Sequence, residues 1–548
     1  MANTILKIDP RDNVWVALQD LQAGLEVDLN GLKLTIPQKV QAKHKFTEKA
    51  MPKGSEIIMY GILVGQTTTD IPQGGIVTTQ NVVHKSADFN EKKANVLWNA
   101  PNVDKWKNTS FMGFHRPDGQ VGVANYWLVI PLVFCENRNV GVIRNAFEEE
   151  LGFSKPDNFK QYVRELVKLY KEGKADDFES VSVADAHTGT PNKLFKNVDG
   201  LKFLTHEGGC GGTRQDSEAL CALLAGYINN PNVAGATVLS LGCQHAQTSL
   251  LLSQLRKLQN PIEKPLVLLE QQNEGTEQQL LAKAIRKTFT ELIKIDKLER
   301  KPAPLSKLTI GLECGGSDGF SGISANPAVG HASDLMVALG GKTILSEFPE
   351  LCGVEQELLN RCTTEQSAGR FAELMRAYEK SAKDSGSGFD MNPSPGNIRD
   401  GLITDAIKSA GAAKKGGTSP VADVLDYGEY VSKQGLNLLC TPGNDVESTT
   451  AMAGSGATIV LFTTGLGTPT GNPIAPVIKI STNTILANKM PDIIDIDAGT
   501  IIDGQKSIEN VGEEILEMII QVANGQYTTK AVESVQNDFI PWKRGVSL

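Results

Sequence analysis

Residues 311–330 read GLECGGSDGFSGISANPAVG, and an apolar run, 308–312, leads straight into them. A buried strand needs no such composition. A backbone that must approach a polar ligand does, because glycine lacks a Cβ and tolerates positive φ. Cys314, Ser317, Asp318, Ser321 and Asn326 then fall within reach of one small molecule or metal. A bare turn uses Gly and Asn but rarely so many hydroxyls with a carboxylate and a thiol.

The same grammar, an apolar run ending in a polar loop, recurs on both sides. Strand-like runs at 126–134, 201–204, 236–241, 265–269 and 308–312 alternate with segments of helical spacing at 145–173, 217–228, 246–258 and 276–298. That alternation predicts an α/β body with a mostly parallel sheet. Further strands are expected at 437–440, 458–462 and 477–480, and a helix at 511–523. The first ninety residues differ. Short β segments at 14–18, 25–27, 32–36, 56–64 and 76–83 are separated by turn residues and predict a small all-β module. The expected organisation is a module over 1–90, a linker over 91–115, an α/β domain over 116–383 and a C-terminal α/β subdomain over 384–548.

Chemistry-bearing residues follow the apolar runs. FLTHEGGC supplies His206 and Cys210, LSLGCQH supplies Cys243 and His245, ILSEFPE supplies Glu347 and Glu350, and LLCTPGND supplies Cys440, Asn444 and Asp445. Ligands of open α/β sheets bind outside the carboxyl ends of the strands, so one crevice is expected to collect these groups. Singly they say less. A lone Cys243 or Cys440 reads first as a small buried hydrophobe. His206 with Cys210 at i, i+4 reads equally as a metal pair or a core histidine. Glu347 and Glu350 at i, i+3 read as an acid/base pair or a solvated helix start. The prolines of NPSPGN, 392–397, predict a rigid loop that presents Asn392, Ser394 and Asn397 as a ligand clamp. His44, in KHKF, reads by itself as an ordinary surface or core histidine.

Composition narrows the function classes. The chain has 548 residues and a net charge of −9, with no basic stripe of the kind nucleic acid requires. Neither a dinucleotide-binding glycine fingerprint nor a phosphate-binding loop of the GxxxxGK[ST] type occurs. The longest apolar run, 126–135, is far short of a membrane span, and the first residues, MANTILKIDPRDN, have no signal-peptide core. Eight cysteines without a CxxC pair suit reduced thiols, and a cytoplasmic enzyme is expected.

Taken in order, these motifs resemble the altronate/galactarate dehydratases over nearly the whole chain. VWVALQDLQAGLEV, HKF at 44–46, DGQVGVAN at 118–125, LGC, GLECGGSDGFSGISANPAVG, EFPE, NPSPGN, TPGND, FTTGLGTPTG and DIDAGT carry the resemblance. It implies a SAF-type β-clip module ahead of a large dehydratase region, and removal of water from an aldonic or aldaric acid. D-altronate giving 2-keto-3-deoxy-D-gluconate is the first expectation. It also implies iron(II), with manganese(II) as substitute, and a cytoplasmic homo-oligomer, a dimer by expectation, that needs neither nucleic acid nor membrane. The residues carried over are His44, His206, Glu347, Glu350 and Asp318 as catalytic candidates, and His44, Cys210, Cys243 and Cys314 as metal ligands. Ser317, Ser321, Asn326, Asn392, Ser394, Asn397, Asn444 and Asp445 are expected to hold the substrate. Asp9 stands where the family usually has His, Leu466 where it has Arg, and Gln244 where it has Glu. Ile398-Arg399-Asp400 replaces a Lys-rich stretch, and 148–199 reads as an insertion. Galactarate dehydratase, a sulfolactate sulfo-lyase and a non-catalytic sugar-acid binder are the rival readings. An iron–sulfur cluster on Cys210, Cys243 and Cys314 is the rival cofactor.

Overall fold

The computed structural model describes residues 4–29, 31–154, 158–183, 193–259 and 261–547. The N-terminal module is all-β, as expected. Ile5–Leu6, Val14–Ala17, Lys45–Thr47 and Ile76–Val77 form one antiparallel sheet in that order. Glu56–Met59, Ile62–Thr67 and Val82–Val83 form a second, and Glu26–Leu29 pairs with Leu32–Thr35. The expected 56–64 strand breaks in two because Tyr60 and Gly61 turn the chain at positive φ, 57° and 74°.

Period-two alternation gives this module two apolar faces. Along Val14–Ala17, Trp15 and Ala17 join Leu21, Val27, Leu29, Ile36 and Phe46 in a core of the module's own. Val14 and Val16 point the other way. With Ile57, Met59 and Val64 they join the main core beside Phe320 and Ile403 of the body. Each such buried side chain contributes about 1.5–3 kcal/mol, so the module is welded to the body rather than tethered beside it.

Two parallel sheets build the body. Gly200–Phe203, Tyr126–Pro131, Val233–Ser240 and Leu266–Glu270 lie side by side in that order. The inner two are buried along their whole length, as unbroken apolar runs require. The second sheet has seven strands, numbered here β1 (Thr309–Cys314), β2 (Lys342–Leu345), β3 (Val421–Leu425), β4 (Gly435–Leu439), β5 (Ile459–Thr464), β6 (Val477–Ser481) and β7 (Ile496–Asp497). Their order is β3-β4-β2-β1-β5-β6-β7, all parallel. Successive connections leave β1 first toward β2 and later toward β5, so the direction of winding reverses at the middle of the sheet. Helices Ala325–Ala338 and Ile508–Ala523 contribute Ala328, Leu335, Val511 and Ile515 to the main core. Between the two sheets, helix Arg214–Asn229 meets helix Asp445–Gly454. A Cβ on Gly226 would sit 1.8 Å from the Gly454 carbonyl oxygen, so only glycine permits that crossing.

Three expectations change. The seven-stranded sheet draws strands from both sides of residue 384, so the body does not divide there. The four-stranded sheet ends at 270 and the seven-stranded sheet begins at 309. The expected linker ends in a strand, Ser110–His115, which pairs with Lys301–Pro304. NPSPGN is not wholly a loop. Pro395 occupies the first position of a short helix, Pro395–Arg399, and Ser394 and Asn397 close a capping box. In the 148–199 stretch, Asn158–Lys171 is helical, while 155–157 and 184–192 lie outside the described residues.

Candidate active site

Charged groups that cores normally exclude converge at the carboxyl ends of β1, β2 and β4, beside the winding reversal. Glu313 and Cys314 end β1. Glu347 and Glu350 follow β2, and Asp445 opens the helix after β4. Lys408, on helix Asp405–Ala412, and Lys415, on the 3-10 turn Ala413–Gly416, reach in from one side. Lys479, in the middle of β6, reaches in from the other. Glu313, Glu347, Glu350, Lys415 and Lys479 are each at most 2% exposed. Buried charges persist only when paired or ligating.

The pairing is explicit. Lys415 Nζ donates to Glu347 Oε2 at 2.5 Å and to Cys314 Sγ at 2.9 Å. Lys408 Nζ donates to Glu350 Oε1 at 2.5 Å and to Asn392 Oδ1 at 2.9 Å, and Asn392 Nδ2 returns a bond to Glu350 Oε1. Ser448 Oγ donates to Glu313 Oε2 at 2.6 Å. Glu347 takes a left-handed backbone, φ 62° and ψ 57°, a conformation costing a non-glycine residue about 1–3 kcal/mol. Its N–H is held by Thr441 Oγ1 at 2.8 Å, and the turn aims its carboxylate into the cluster. Gly315 leaves room for the same cluster, since a Cβ there would lie 1.9 Å from Asp445 Oδ2.

Lys479 Nζ has no hydrogen-bond partner, and Glu313 Oε1 and Glu347 Oε1 have none beyond the contact between their two carboxyls. Burial first, and the Glu347 charge second, hold Glu313 well above the usual carboxylate range. Burial pushes Asp445 up to about 7. Lys479 lies over the Phe462 ring, 3.2 Å from its centroid, and burial pushes it down to about 7 against the pull of Asp445 and Glu313. Ligand atoms of Glu313, Glu347 and Asp445 lie within 4.8 Å of one another, as do those of Cys314, Glu347 and Glu350. The first trio fits a divalent cation better. Two of its oxygens have no partner outside the trio, whereas Cys314 and Glu350 already have lysine partners.

Several expected residues go elsewhere. The one crevice becomes two places, because FLTHEGGC and LSLGCQH belong to the four-stranded sheet. His206 Nε2 donates to the Pro131 carbonyl at 2.7 Å, and Nδ1 accepts the Gly208 N–H at 3.1 Å. Both ring nitrogens are occupied and burial pushes the ring down to about 4, so His206 is a neutral structural histidine. Cys210 lines a cavity of about 630 Å³ closed by Phe539–Lys543. Among the described residues neither Cys210 nor Cys243 forms a ligand group with Cys314, which corrects the expected metal set and the cluster alternative. Gln244 bonds within its own loop, to Gly242 N, Ser240 Oγ and the Ala246 carbonyl.

His44 stands outside every ligand group among the described residues. Its Nε2 lies 3.2 Å from the Arg399 carbonyl, and the residues beside it clamp module to body. Lys43 bridges Asp318 at 2.9 Å and Asp400 at 3.0 Å, and Lys45, which burial pushes down to about 7, donates to the Gly401 carbonyl at 2.7 Å. Asp318 is fully buried, taking bonds from Phe320 N, Ser321 Oγ, Thr482 Oγ1 and Asn483 Nδ2 as well as Lys43. Asn326 ties Gly411 to Thr463, Asn397 holds the Ser317 carbonyl, Ser394 caps its helix, and Asn444 caps the helix that Asp445 opens. Of the expected substrate set, Asn392 and Asp445 face the charged cluster. Asp9 is paired with Arg11 at 2.8 Å, and Leu466 is partly exposed.

Sequence reasoning missed Glu313, Lys408, Lys415 and Lys479. Two signals were present: a lysine inside the apolar strand VIKIS, and lysines seven apart in DAIKSAGAAKKGG.

A β-clip module docked on a parallel α/β body, with acids and lysines paired out of contact with water at the strand ends, is the build of an enzyme rather than of a binding module. The chain matches the altronate/galactarate dehydratase SAF domain over residues 3–85, the second domain of D-galactarate dehydratase/altronate hydrolase over 113–296, and the C-terminal domain of D-galactarate/altronate dehydratase over 305–547. It is 33% identical to an altronate dehydratase of Bacillus subtilis (strain 168) across all of both chains. It is also 33% identical to an altronate dehydratase of Escherichia coli (strain K12) over 99% of each, and 31% identical to a galactarate dehydratase (L-threo-forming) of the same strain over 96% of this chain and 93% of that one. The chain belongs to the altronate/galactarate dehydratase family and is a sugar-acid hydro-lyase. No described helix is long and apolar enough to cross a membrane.

Proposed function

We propose that the enzyme dehydrates D-altronate to 2-keto-3-deoxy-D-gluconate, using a divalent cation, iron(II) first and manganese(II) second. The observation that carries this reading is the buried carboxylate trio, two of whose oxygens have no partner outside it, beside an unpartnered lysine. Glu313, Glu347 and Asp445 would hold the cation, in place of the proton that burial keeps on Glu313. An all-oxygen donor set suits iron(II) or manganese(II). When bound, the cation supplies positive charge beside the substrate carboxylate and so acidifies the neighbouring C–H.

The chain's own groups do the rest. Burial lowers Lys479 to about 7, so roughly half of it is neutral near pH 7, which suits a base for the C2 proton. Lys415 and Lys408 keep their protons. They stand where a departing C3 hydroxyl can be protonated and an anionic substrate neutralised. Asn392 orients both Glu350 and Lys408. The docked module packs against the body beside Asp318, and excluding water strengthens every charge interaction inside. Leu466 offers no cation for a second carboxylate, which favours an aldonate over an aldarate.

The test is formation of 2-keto-3-deoxy acid from a panel of aldonates, aldarates and sulfolactate, with chelated and iron(II)-loaded protein. D-altronate should give product only with metal. Turnover of galactarate in preference to altronate would overturn the substrate assignment. Full activity after chelation would overturn the cation.

A further inference from the structure

A second set of ligating side chains lies away from the carboxylate trio. His84, Cys352 and Asp405 bring an imidazole, a thiol and a carboxylate together, with one ligand atom of each within 4.8 Å of the others. Three separate segments supply them. His84 follows the module strand Val82–Val83. Cys352 follows the turn Phe348–Leu351 that carries Glu350, and Asp405 opens the helix that carries Lys408. Asp405 is 2% exposed. One of its oxygens accepts from Ser409 Oγ at 3.2 Å, the Cys352 thiol bonds the same carboxylate, and Oδ2 is buried with no partner beyond that thiol. His84 Nδ1 accepts the Ala406 N–H at 3.4 Å, which leaves Nε2 to face a ligand.

The surrounding charge favours a cation. Asp390 faces His84, Glu355 and Glu379 face Cys352, and Glu350 faces Asp405, against two cations, Lys408 beside Asp405 and the exposed Lys383 toward Cys352. We propose that His84, Cys352 and Asp405 form a second metal site, for a zinc-class divalent ion, that staples the β module to the two elements aiming Glu350 and Lys408. The mixed sulfur, nitrogen and oxygen donors select a borderline ion and disfavour magnesium or calcium, which want oxygen alone. Zinc bonds of about 2.0–2.3 Å place tetrahedral ligands roughly 3.3–3.8 Å apart, so the side chains close in by about 1 Å. Water fills the fourth position. Binding ionises the Cys352 thiol, and its proton leaves to solvent.

The test is cobalt(II) titration of the full-length chain carrying Cys314→Ser, which removes the thiol nearest the carboxylate trio. Two equivalents, one of them for the carboxylate trio, should give a thiolate-to-cobalt charge-transfer band that zinc bleaches. Adding Cys352→Ser should abolish the band, and adding His84→Gln should weaken cobalt binding at least tenfold, with circular dichroism unchanged. A variant-free arm guards against misfolding: in the unaltered protein, zinc should slow alkylation of Cys352, read by peptide mass, at least tenfold. A band that survives Cys352→Ser, no band at two equivalents, or equal alkylation with and without zinc would overturn the site.

Discussion

Replacing Lys415 by Met tests whether the charged cluster is one electrostatic unit. Lys415 is 1% exposed and is the shared donor to Glu347 and Cys314. The methionine keeps the apolar stem and removes the ammonium. Removing one partner of a buried pair costs about 3–5 kcal/mol, because the other charge stays buried and alone. In a folding unit of 150–250 residues each kcal/mol lowers Tm by about 2–4 °C, so the expected loss near neutral pH is roughly 6–20 °C. The loss has a sign in pH. Burial already raises Glu347 in the folded parent, and Lys415 is the main group pulling it back down. In the variant Glu347 rises further, so the native state binds a proton that the unfolded chain releases above its ordinary carboxylate range. Native protein then holds more protons than unfolded protein, and stability falls as pH rises, by up to about 1.4 kcal/mol per unit for one proton. Calorimetric scans of chelated parent and variant between pH 5 and 8 should therefore diverge with rising pH. Adding Glu347→Gln should recover most of the loss. Parallel curves, or a deficit that Glu347→Gln leaves untouched, would show that the two groups are not coupled and refute the reasoning.

Lys479→Met should fold and lose about 10²–10⁴-fold in kcat, while parent kcat/KM should fall as pH drops below about 7, where Lys479 gains a proton; parent-like turnover in the variant would remove Lys479 as base. Asp318→Asn leaves Lys43 with Asp400 alone and should weaken module docking by about 1–3 kcal/mol, read as roughly tenfold to hundredfold faster proteolysis within residues 86–109; unchanged cleavage would deny the clamp. His44→Ala removes only the contact to the Arg399 carbonyl and should keep the fold and most of the turnover, whereas a strong loss at unchanged stability would return His44 to the catalytic candidates.

What the sequence revealed, and what it hid, divides along physical lines. The all-β module, the parallel sheets and the strand ends where polar groups gather were legible, because period two, period 3.6 and apolar runs are local signals. Which sheet each strand joins was not. His206 and Glu347 follow equally convincing apolar runs, yet one belongs to the four-stranded sheet and the other to the seven-stranded sheet. The hydroxyls and amides of the signature loop drew attention as ligand groups, but Ser321, Asn326 and Asn397 spend their hydrogen bonds on the loop itself. Lys408 and Lys415 passed unread as site residues, since a side chain buried only by tertiary pairing leaves no more than their seven-residue spacing as a mark. Lys479 was the exception, a cation interrupting an otherwise apolar strand.

The clamp between module and body also sets a clock for the nascent chain. Lys43 leaves the ribosome 275 residues ahead of Asp318 and 357 ahead of Asp400. At about 5–20 residues per second, the module waits roughly 15–70 s for its partner groups. Its own core around Trp15 and Phe46 can close in that interval. Its second face, with Val16, Ile57 and Met59, cannot, and it presents bare apolar surface to the cell until the body arrives.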